Sequence, residues 1–237
     1  MKRFATLTLV VAALFTTTAR ADESPRRGTF EFRANRYRPD VDAEFAGRAT
    51  PYSDAFGSGK GWMFRVELTR SVLKTFGTFD VGIGAGYFED SGFGRLPDGQ
   101  SSADRTTFRI IPTSLSLTYR LDVLPNGFVL PLMPYARASF ERFNWWTSGG
   151  AGGTSETGGH RGRGATHGYS LSAGVALLLD LVDRTLAREM DNDTGINHSY
   201  LFFDVTKSTV DDFGSSKSID LSNTGAVMLG GGLMFVY

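Results

Sequence analysis

The segment from Thr78 to Phe88, TFDVGIGAGYF, alternates between two kinds of side chain. On an extended strand, one face would be apolar and aromatic and the other almost bare: Phe79, Val81, Ile83, Ala85 and Tyr87 against Asp80, Gly82, Gly84 and Gly86. A half-buried strand in water normally shows the reverse balance, with bulky polar groups on its exposed face. Glycine weakens a strand, so three glycines on one face need a structural reason. A narrow interior on the glycine side, with lipid on the apolar side, would supply that reason.

The same period-two alternation recurs along the chain and predicts eight strands. They cover approximately residues 28–37, 61–71, 78–88, 105–122, 132–146, 167–180, 199–208 and 225–237. In the fourth segment, Phe108 and Ile110 fall on the opposite parity to the apolar row Leu115, Leu117 and Tyr119. We therefore expect a β-bulge near Pro112.

The connections between these strands alternate in length. Long polar connections follow the odd strands, at residues 38–60, 89–104, 147–166 and 209–224. Short ones follow strands two and four, and the sixth is followed by a helix expected to start near Asp183 and to end before Gly195. Long extracellular loops and short periplasmic turns are typical of outer-membrane barrels. The pattern predicts an all-β fold: an eight-stranded antiparallel transmembrane β-barrel with a short periplasmic helix between strands 6 and 7. A hairpin hidden in the first loop would raise the count to ten.

The polar rows of these strands would face the lumen. They carry charges of both signs, which can pair: Glu31, Arg33, Arg65, Glu67, Asp80, Arg109, Arg120, Asp122, Arg137, Glu141 and Asp204. Because eight strands leave an interior just wide enough for side chains, we expect a plug more readily than a channel.

A soluble barrel of lipocalin type has the same alternation turned inside out, so periodicity alone does not separate the two. Three features favour lipid outside. Aromatic residues lie at strand ends as in an interfacial girdle, the polar face is rich in Gly and Ser, and the chain ends on Tyr237 with Phe235 and Leu233 on the same face. The girdle candidates are Trp62, Tyr87, Tyr119, Trp145, Trp146 and Tyr169. The terminal pattern resembles the signal read by the outer-membrane assembly machinery.

The N-terminus reads as a targeting segment. Lys2 and Arg3 precede an apolar run at residues 4–15, and a small-x-small cleavage site lies at residues 19–21. We expect residues 1–21 to be a cleaved signal peptide and residues 22–237 to be the barrel domain. Its removal leaves 22 basic and 25 acidic residues, which does not suggest nucleic-acid binding. A mean hydropathy of −0.15 argues against a helical membrane protein, and the absence of cysteine excludes disulfides.

The motifs that carry chemistry elsewhere are weak here. The three histidines, His160, His167 and His198, have no nucleophile or acid placed beside them by spacing. DNDTG at residues 191–195 lacks the later ligands of a calcium loop and reads better as a helix end with a glycine cap. GSGKG at residues 57–61 lacks P-loop spacing. We predict no catalytic, cofactor-binding or metal-binding residues, no cofactor and no enzymatic activity.

Several segments resemble a family of small outer-membrane β-barrel proteins described from myxobacteria and their relatives. They are residues 32–45 (FRANRYRPDVDAEF), 50–57 (TPYSDAFG), 119–124 (YRLDVL), 131–137 (PLMPYAR), 144–146 (NWW), 191–204 (DNDTGINHSYLFFD) and the C-terminal residues 220–237. The resemblance implies a barrel in the outer membrane of a Gram-negative cell. It implies no reaction, since the family has none assigned.

We therefore expect a structural or cell-surface interaction protein. Its partners would be outer-membrane lipid and lipopolysaccharide, the assembly machinery through Tyr237, and a surface partner of unknown identity. The first loop and the Gly/Arg-rich third loop are the expected contact regions. A narrow pore and a lipid-modifying enzyme of the outer membrane are the alternatives.

Overall fold

Eight long strands form the body of the protein. The computed structural model describes residues 25–95, 101–127, 130–149, 153, 156–157, 160–215, 218–225 and 227–237. The predicted signal peptide lies outside these residues, as do parts of the second, third and fourth loops. The strands are β1 (Gly28–Tyr37), β2 (Gly61–Lys74), β3 (Thr78–Arg95), β4 (Ser101–Arg120), β5 (Leu132–Ser148), β6 (Arg163–Leu178), β7 (His198–Thr209) and β8 (Met228–Val236).

The sheet closes on itself. Each strand pairs antiparallel with its neighbour in sequence, and β1 also pairs with β8, so the ring has no free edge. Phe32 of β1, for example, lies opposite Val66 of β2 and Leu233 of β8. Closure pairs the backbone polar groups within the sheet, which is what a β structure needs in hydrocarbon. The prediction of an eight-stranded antiparallel barrel is confirmed.

The two ends of the barrel differ, and we name them by their connections. The turn end carries the start of β1, the end of β8 and the connections after β2, β4 and β6; the loop end carries the connections after β1, β3, β5 and β7. The first loop contains a 3₁₀ helix (Val41–Phe45) and helix α1 (Pro51–Phe56). The turn end contains helices α2 (Val123–Gly127) and α3 (Arg184–Thr194).

Helix α3 lies where the sequence predicts it. The Asp183 carboxylate accepts hydrogen bonds from the amides of Thr185 and Leu186, and Gly195 ends the helix in a left-handed conformation. The alternative of a hairpin in the first loop is wrong, because that loop folds into helices. The third loop contains a short antiparallel β pairing that is separate from the barrel sheet. It joins Glu156–Thr157 to His160–Arg161. Within the described ranges, every helix is too short or too polar to cross a bilayer.

The outer wall is apolar. Ile83 and Leu115 expose 63% and 56% of their surface, whereas Asp80 and Arg120 on the alternate parity expose 0% and 2%. We call the outward apolar rows the lipid belt. Its large members include Phe30, Phe32, Phe64, Val66, Leu68, Val81, Ile83, Leu115, Leu117, Phe140, Tyr169, Leu171, Val175, Phe203 and Leu233. An outward Arg or Lys at the bilayer midplane would cost about 2–4 kcal/mol, and the outward rows of β3 from residue 79 to 87 and of β4 from 111 to 119 carry no charge.

The three glycines of β3 face the lumen and make room there. A Cβ atom at Gly82 would lie 2.7 Å from the Ser116 hydroxyl oxygen, and one at Gly84 would lie 2.6 Å from that of Ser114. A Cβ atom at Gly86 would lie 2.5 Å from the carbonyl oxygen of Phe64. Neighbouring strands therefore fill the space that these glycines leave.

Three predictions about inward and outward faces are wrong, all of them near the loop end. The β4–β5 register is continuous from residue 107 to 120, so there is no bulge at Pro112. Phe108 and Ile110 keep the inward parity and are buried. Arg109 faces outward instead, and Trp145 packs inside against the buried core and so is not part of a girdle. The physical reason is that the lumen becomes apolar at this end, so side-chain polarity no longer indicates direction.

Candidate functional site: the filled lumen and its cap

Paired charges fill the middle of the lumen. Arg137 donates to Glu31 at 2.6 Å and approaches a Glu67 oxygen at 3.1 Å. Arg65 makes two hydrogen bonds to the Glu141 carboxylate, at 2.7 and 3.1 Å. The other pairs of this ionic layer are Arg33 with Glu31 and Asp204, and Arg120 with Asp80.

Hydroxyl groups complete the ionic layer. Ser170 donates to Glu141 at 2.7 Å, Tyr135 donates to Asp204 at 3.0 Å, and Thr118 accepts from Arg137 at 2.8 Å. Deleting one member of such a buried pair typically costs about 3–5 kcal/mol, because the remaining charge is left without a partner. The layer therefore fills the middle of the barrel with groups that depend on one another as partners.

Apolar clusters close the lumen on both sides of the ionic layer. Toward the turn end they are Met133, Tyr135, Ala176, Leu178, Tyr200, Phe202, Met234 and Val236. Toward the loop end they are Tyr37, Val41, Tyr52, Met63, Phe88, Phe108, Ile110, Phe143, Val210, Leu221 and Met228. A cavity between the ionic layer and the second cluster has a volume of about 10 Å³, close to the space of one water molecule. The predicted plug is confirmed in the described lumen. The protein is an eight-stranded transmembrane β-barrel with a filled interior.

The first loop folds back over the loop end around the carboxylate of Asp42. This carboxylate accepts hydrogen bonds from the amides of Tyr52 (2.8 Å) and Ser53 (3.1 Å) and from the Ser53 hydroxyl. Arg38 donates to it at 3.0 Å. Partial burial raises the pKa of Asp42, but these hydrogen bonds and the Arg38 charge outweigh it and hold the pKa below its ordinary value. Asp42 thus ties the 3₁₀ helix to the start of α1.

Helix α1 packs against the upper part of β3. Tyr52 is 3% exposed, and its ring lies edge-on to Phe108 at 5.9 Å between centroids. Its hydroxyl donates to Asp90 at 2.8 Å. A Cβ atom at Gly92 would lie 1.8 Å from the carbonyl oxygen of Ala55, so only glycine allows the helix to approach the strand this closely.

The fourth loop joins the first. The Tyr37 hydroxyl donates to the Leu221 carbonyl at 2.6 Å. The Asp40 amide donates to the Ser222 carbonyl and the Thr224 amide donates to the Arg38 carbonyl, both at 2.9 Å. We call residues 38–57 together with the described residues of 210–225 the cap. The cap covers the apolar cluster at the loop end and is one hydrogen-bonded unit with the barrel.

The fourth loop also contains a left-handed turn. Asp212, Phe213 and Gly214 have φ values of 51°, 57° and 84°, and the Ser215 amide donates to the Asp211 carbonyl at 3.1 Å. Left-handed backbone costs about 1–2 kcal/mol for each non-glycine residue. The Asp212 carboxylate offsets this cost by accepting hydrogen bonds from Ser218 and from the His167 amide. These hydrogen bonds lower the pKa of Asp212 below the ordinary value.

A continuous exposed segment crosses the top of the cap. Every residue from 43 to 51, AEFAGRATP, is exposed, including Phe45 and Arg48. The segment runs from the second half of the 3₁₀ helix to the first residue of α1, and the Asp42 contacts with Tyr52 and Ser53 fix its two ends. This segment is the candidate interaction surface of the protein. Sequence reasoning selected the first loop for contact but missed its folded structure, for which the Pro51 start and the Tyr52–Phe56 spacing are the available signals.

The two histidines whose side chains the structure describes each lie beside an aspartate. His167 Nδ1 lies 3.0 Å from Asp212, on the outer face near the loop end, and His198 Nδ1 lies 2.6 Å from Asp180 at the turn end. The sequence did not predict either acidic partner. The side chain of His160 lies outside the described part of the chain. Among the described residues, no group of three or more His, Cys, Asp or Glu side chains could hold a metal ion.

Comparisons with known proteins show distant likeness. No protein-family model and no curated protein matches the sequence. Three solved structures are similar over most of the chain. They are Neisserial surface protein A, NspA (12% identity, TM-score 0.45, 92% of this chain and 100% of that one), the N-terminal β-barrel domain of Pseudomonas aeruginosa OprF (13%, 0.40, 90% and 100%), and the attachment invasion locus protein Ail of Yersinia pestis (9%, 0.37, 89% and 99%). Because these identities and TM-scores are low, the fold assignment is based on the strand pairing and the side-chain distribution of this chain itself.

Proposed function

We propose that the protein is an outer-membrane barrel of a Gram-negative cell that presents its cap at the cell surface for binding, without catalysis. The observation that carries this proposal is the cap itself, an ordered surface built on a barrel whose lumen is filled. A lumen filled with ion pairs fits a membrane scaffold that carries the cap better than it fits a channel. The loop end faces outward in this proposal because long loops of such barrels are extracellular.

The other expected partners fit the same placement. The lipid belt would contact the acyl chains of outer-membrane lipid and lipopolysaccharide. Residues 1–21 would direct export and be removed. Leu233, Phe235 and the terminal Tyr237 share the outward parity, which supports a role for Tyr237 in recognition by the assembly machinery.

Two matched insertions test the placement. Gly47 in the cap and Gly195 after α3 both have positive φ, and nothing lies within 4 Å of a Cβ built on either. An epitope inserted at each site, in cells with equal amounts of membrane-inserted protein, should be stained by antibody on intact cells at Gly47 alone. Staining at Gly195 alone would mean that the turn end, and not the loop end, faces outward. Recovery of the protein in the soluble periplasm would contradict the proposal.

Two matched double variants test the binding role. Phe45→Ser with Arg48→Ser alters the exposed segment, while Leu186→Ser with Arg188→Ser makes a similar change on α3 at the other end. Attachment of expressing cells to one another and to coated surfaces should fall about tenfold for the cap variant and stay unchanged for the α3 variant. Equal attachment by the wild type, both variants and a deletion strain would contradict a surface-binding role. Single openings in planar bilayers would favour a pore instead.

A further inference from the structure

The left-handed turn of the fourth loop reaches over the rim of the barrel and onto its outer wall. Phe213 at the tip of this turn is 66% exposed. Its ring stacks on Phe140 with 6.4 Å between centroids, and Phe140 in turn stacks on His167 at 6.1 Å. Phe140 belongs to the lipid belt, so Phe213 lies beside the belt and outside the lumen.

The outward rows of β5 and β6 give the level of this contact. On β5 the outward residues from 134 to 140 are apolar and the next is Arg142; on β6 they are apolar or aromatic up to Tyr169 and the next is His167. Arg142 and His167 are directly paired across the two strands. The change from apolar to polar outward side chains therefore falls at the same place on both strands, and Phe140 is the last belt residue of β5 before it.

The backbone of the turn is held in place by this same wall. The Asp212 amide donates to the His167 carbonyl at 2.9 Å, and Asp212 Oδ1 accepts from the His167 amide at 2.7 Å. These contacts fix the strained residues so that the Phe213 ring lies against Phe140 on the outer wall. A strained backbone that exposes a large apolar ring calls for a function of that ring.

We propose that Phe213 is a lipid anchor of the fourth loop, inserted at the boundary between acyl chains and headgroups of the outer leaflet. Large apolar side chains such as Phe insert at the boundary between headgroups and acyl chains, and the Phe213 ring continues the surface of the lipid belt beyond Phe140. The anchor attaches the cap to the membrane on the β5–β6 side. The inference depends on the belt facing lipid and not on the proposed binding role of the cap.

Tryptophan fluorescence in vesicles tests the anchor. Phe213→Trp is made in a background in which Trp62, Trp145 and Trp146 are replaced by Phe, and Phe93→Trp in the same background is the control. Phe93 is a similarly exposed outward aromatic, 52% exposed, but lies beyond the outward Glu89 on β3. Both proteins are reconstituted in phosphatidylcholine with a nitroxide either near the headgroup end or near the terminus of the acyl chain.

The nitroxide near the headgroup should reduce the emission of the Phe213→Trp variant about twofold, with a smaller effect of the terminal nitroxide. Neither nitroxide should have much effect on the Phe93→Trp variant. Equal and weak quenching of the Phe213→Trp variant at both depths would overturn the anchor and leave Phe213 free for a protein partner. If the tryptophan-free background does not fold, Phe213→Cys and Phe93→Cys carrying a bimane label give the same comparison. Failure of the anchor would leave the staining and attachment tests of the cap unaffected.

Discussion

Both ends of the barrel carry a helix in a connection, but only one of these helices belongs to the core. Helix α1 at the loop end has 6 residues and buries Tyr52 to 3% exposure. Helix α3 at the turn end has 11 residues and buries none of them. Helix length therefore does not decide which connection is integrated into the fold. Burial does, and it points to the loop end as the structured surface.

The cause lies in the lumen below each end. Toward the loop end the inward rows of β2, β3 and β4 include large apolar groups, among them Met63, Phe88 and Phe108, which need a cover. At the turn end, Tyr200 and Phe202 with their neighbours close the lumen from within the strands. The cap supplies the cover that strands alone do not provide, whereas α3 lies beside an end that is already closed.

The largest contrast should come from matched alanine substitutions at the two ends. Tyr37→Ala removes a fully buried ring and leaves the Leu221 carbonyl without its donor, so we expect the free energy of unfolding to fall by about 3–5 kcal/mol. Val182→Ala, on a residue 86% exposed beside α3, should change it by less than about 0.5 kcal/mol. Urea unfolding in detergent micelles, followed by gel mobility without boiling, measures both. Equal shifts would remove the distinction between the ends.

A second contrast replaces one aspartate at each end. Asp42→Ala leaves the Tyr52 and Ser53 amides without their acceptor and should destabilise the cap by about 1–3 kcal/mol. Protease cleavage within residues 43–51 should then increase while the barrel stays folded. Asp193→Ala on the exposed part of α3 is the control and should leave cleavage of the cap unchanged. Resistance of the Asp42 variant would show that the cap holds without this carboxylate.

Acid should sharpen the same comparison. The pKa values of Asp42 and Asp212 in the folded protein are below the ordinary 3.8, so their stabilisation is complete above that pH and is lost as pH falls through the folded values. We expect cleavage of the cap by an acid-active protease to rise below about pH 4. Asp42→Asn should weaken that dependence. A cleavage rate that does not vary between about pH 6 and pH 3 would contradict it.

The smallest effect should come from the turn end. Asp183→Ala removes the N-cap of α3 and should fray the helix, at a local cost of about 1 kcal/mol. Because α3 buries no residue, the urea midpoint of the barrel should not move. A lowered midpoint would mean that α3 contributes to the core after all.

The sequence was sufficient for the barrel and insufficient for its cap. Alternation located all eight strands, and the Asp183 and Gly195 signals located α3. The alternation of apolar and polar side chains shows that the two faces of a strand lie in different environments. It does not show which of the two faces points into the barrel. In the middle of the barrel the polar side is the lumen, but toward the loop end the lumen is apolar, so side-chain polarity predicts the wrong face for Phe108, Arg109 and Trp145.

The cap could not be predicted because its contacts join distant parts of the chain. Tyr37 bonds to Leu221 and Asp42 to Tyr52, and spacing in the sequence does not reveal either pair. The loop composition, rich in Asp, Gly and Ser, is equally compatible with a solvated loop. The same limit hid the partnership of His167 with Asp212.

The central claim is that the apolar rows face lipid and the charged rows fill the lumen. The chain contains no cysteine, so a single spin label can be attached at Leu115→Cys in the belt and at Asp54→Cys on α1. In reconstituted vesicles, the label at position 115 should be relaxed more by oxygen than by a water-soluble nickel chelate, and the label at position 54 should show the opposite order. A label at position 115 that responds chiefly to the nickel chelate would place this face in water and contradict the transmembrane barrel.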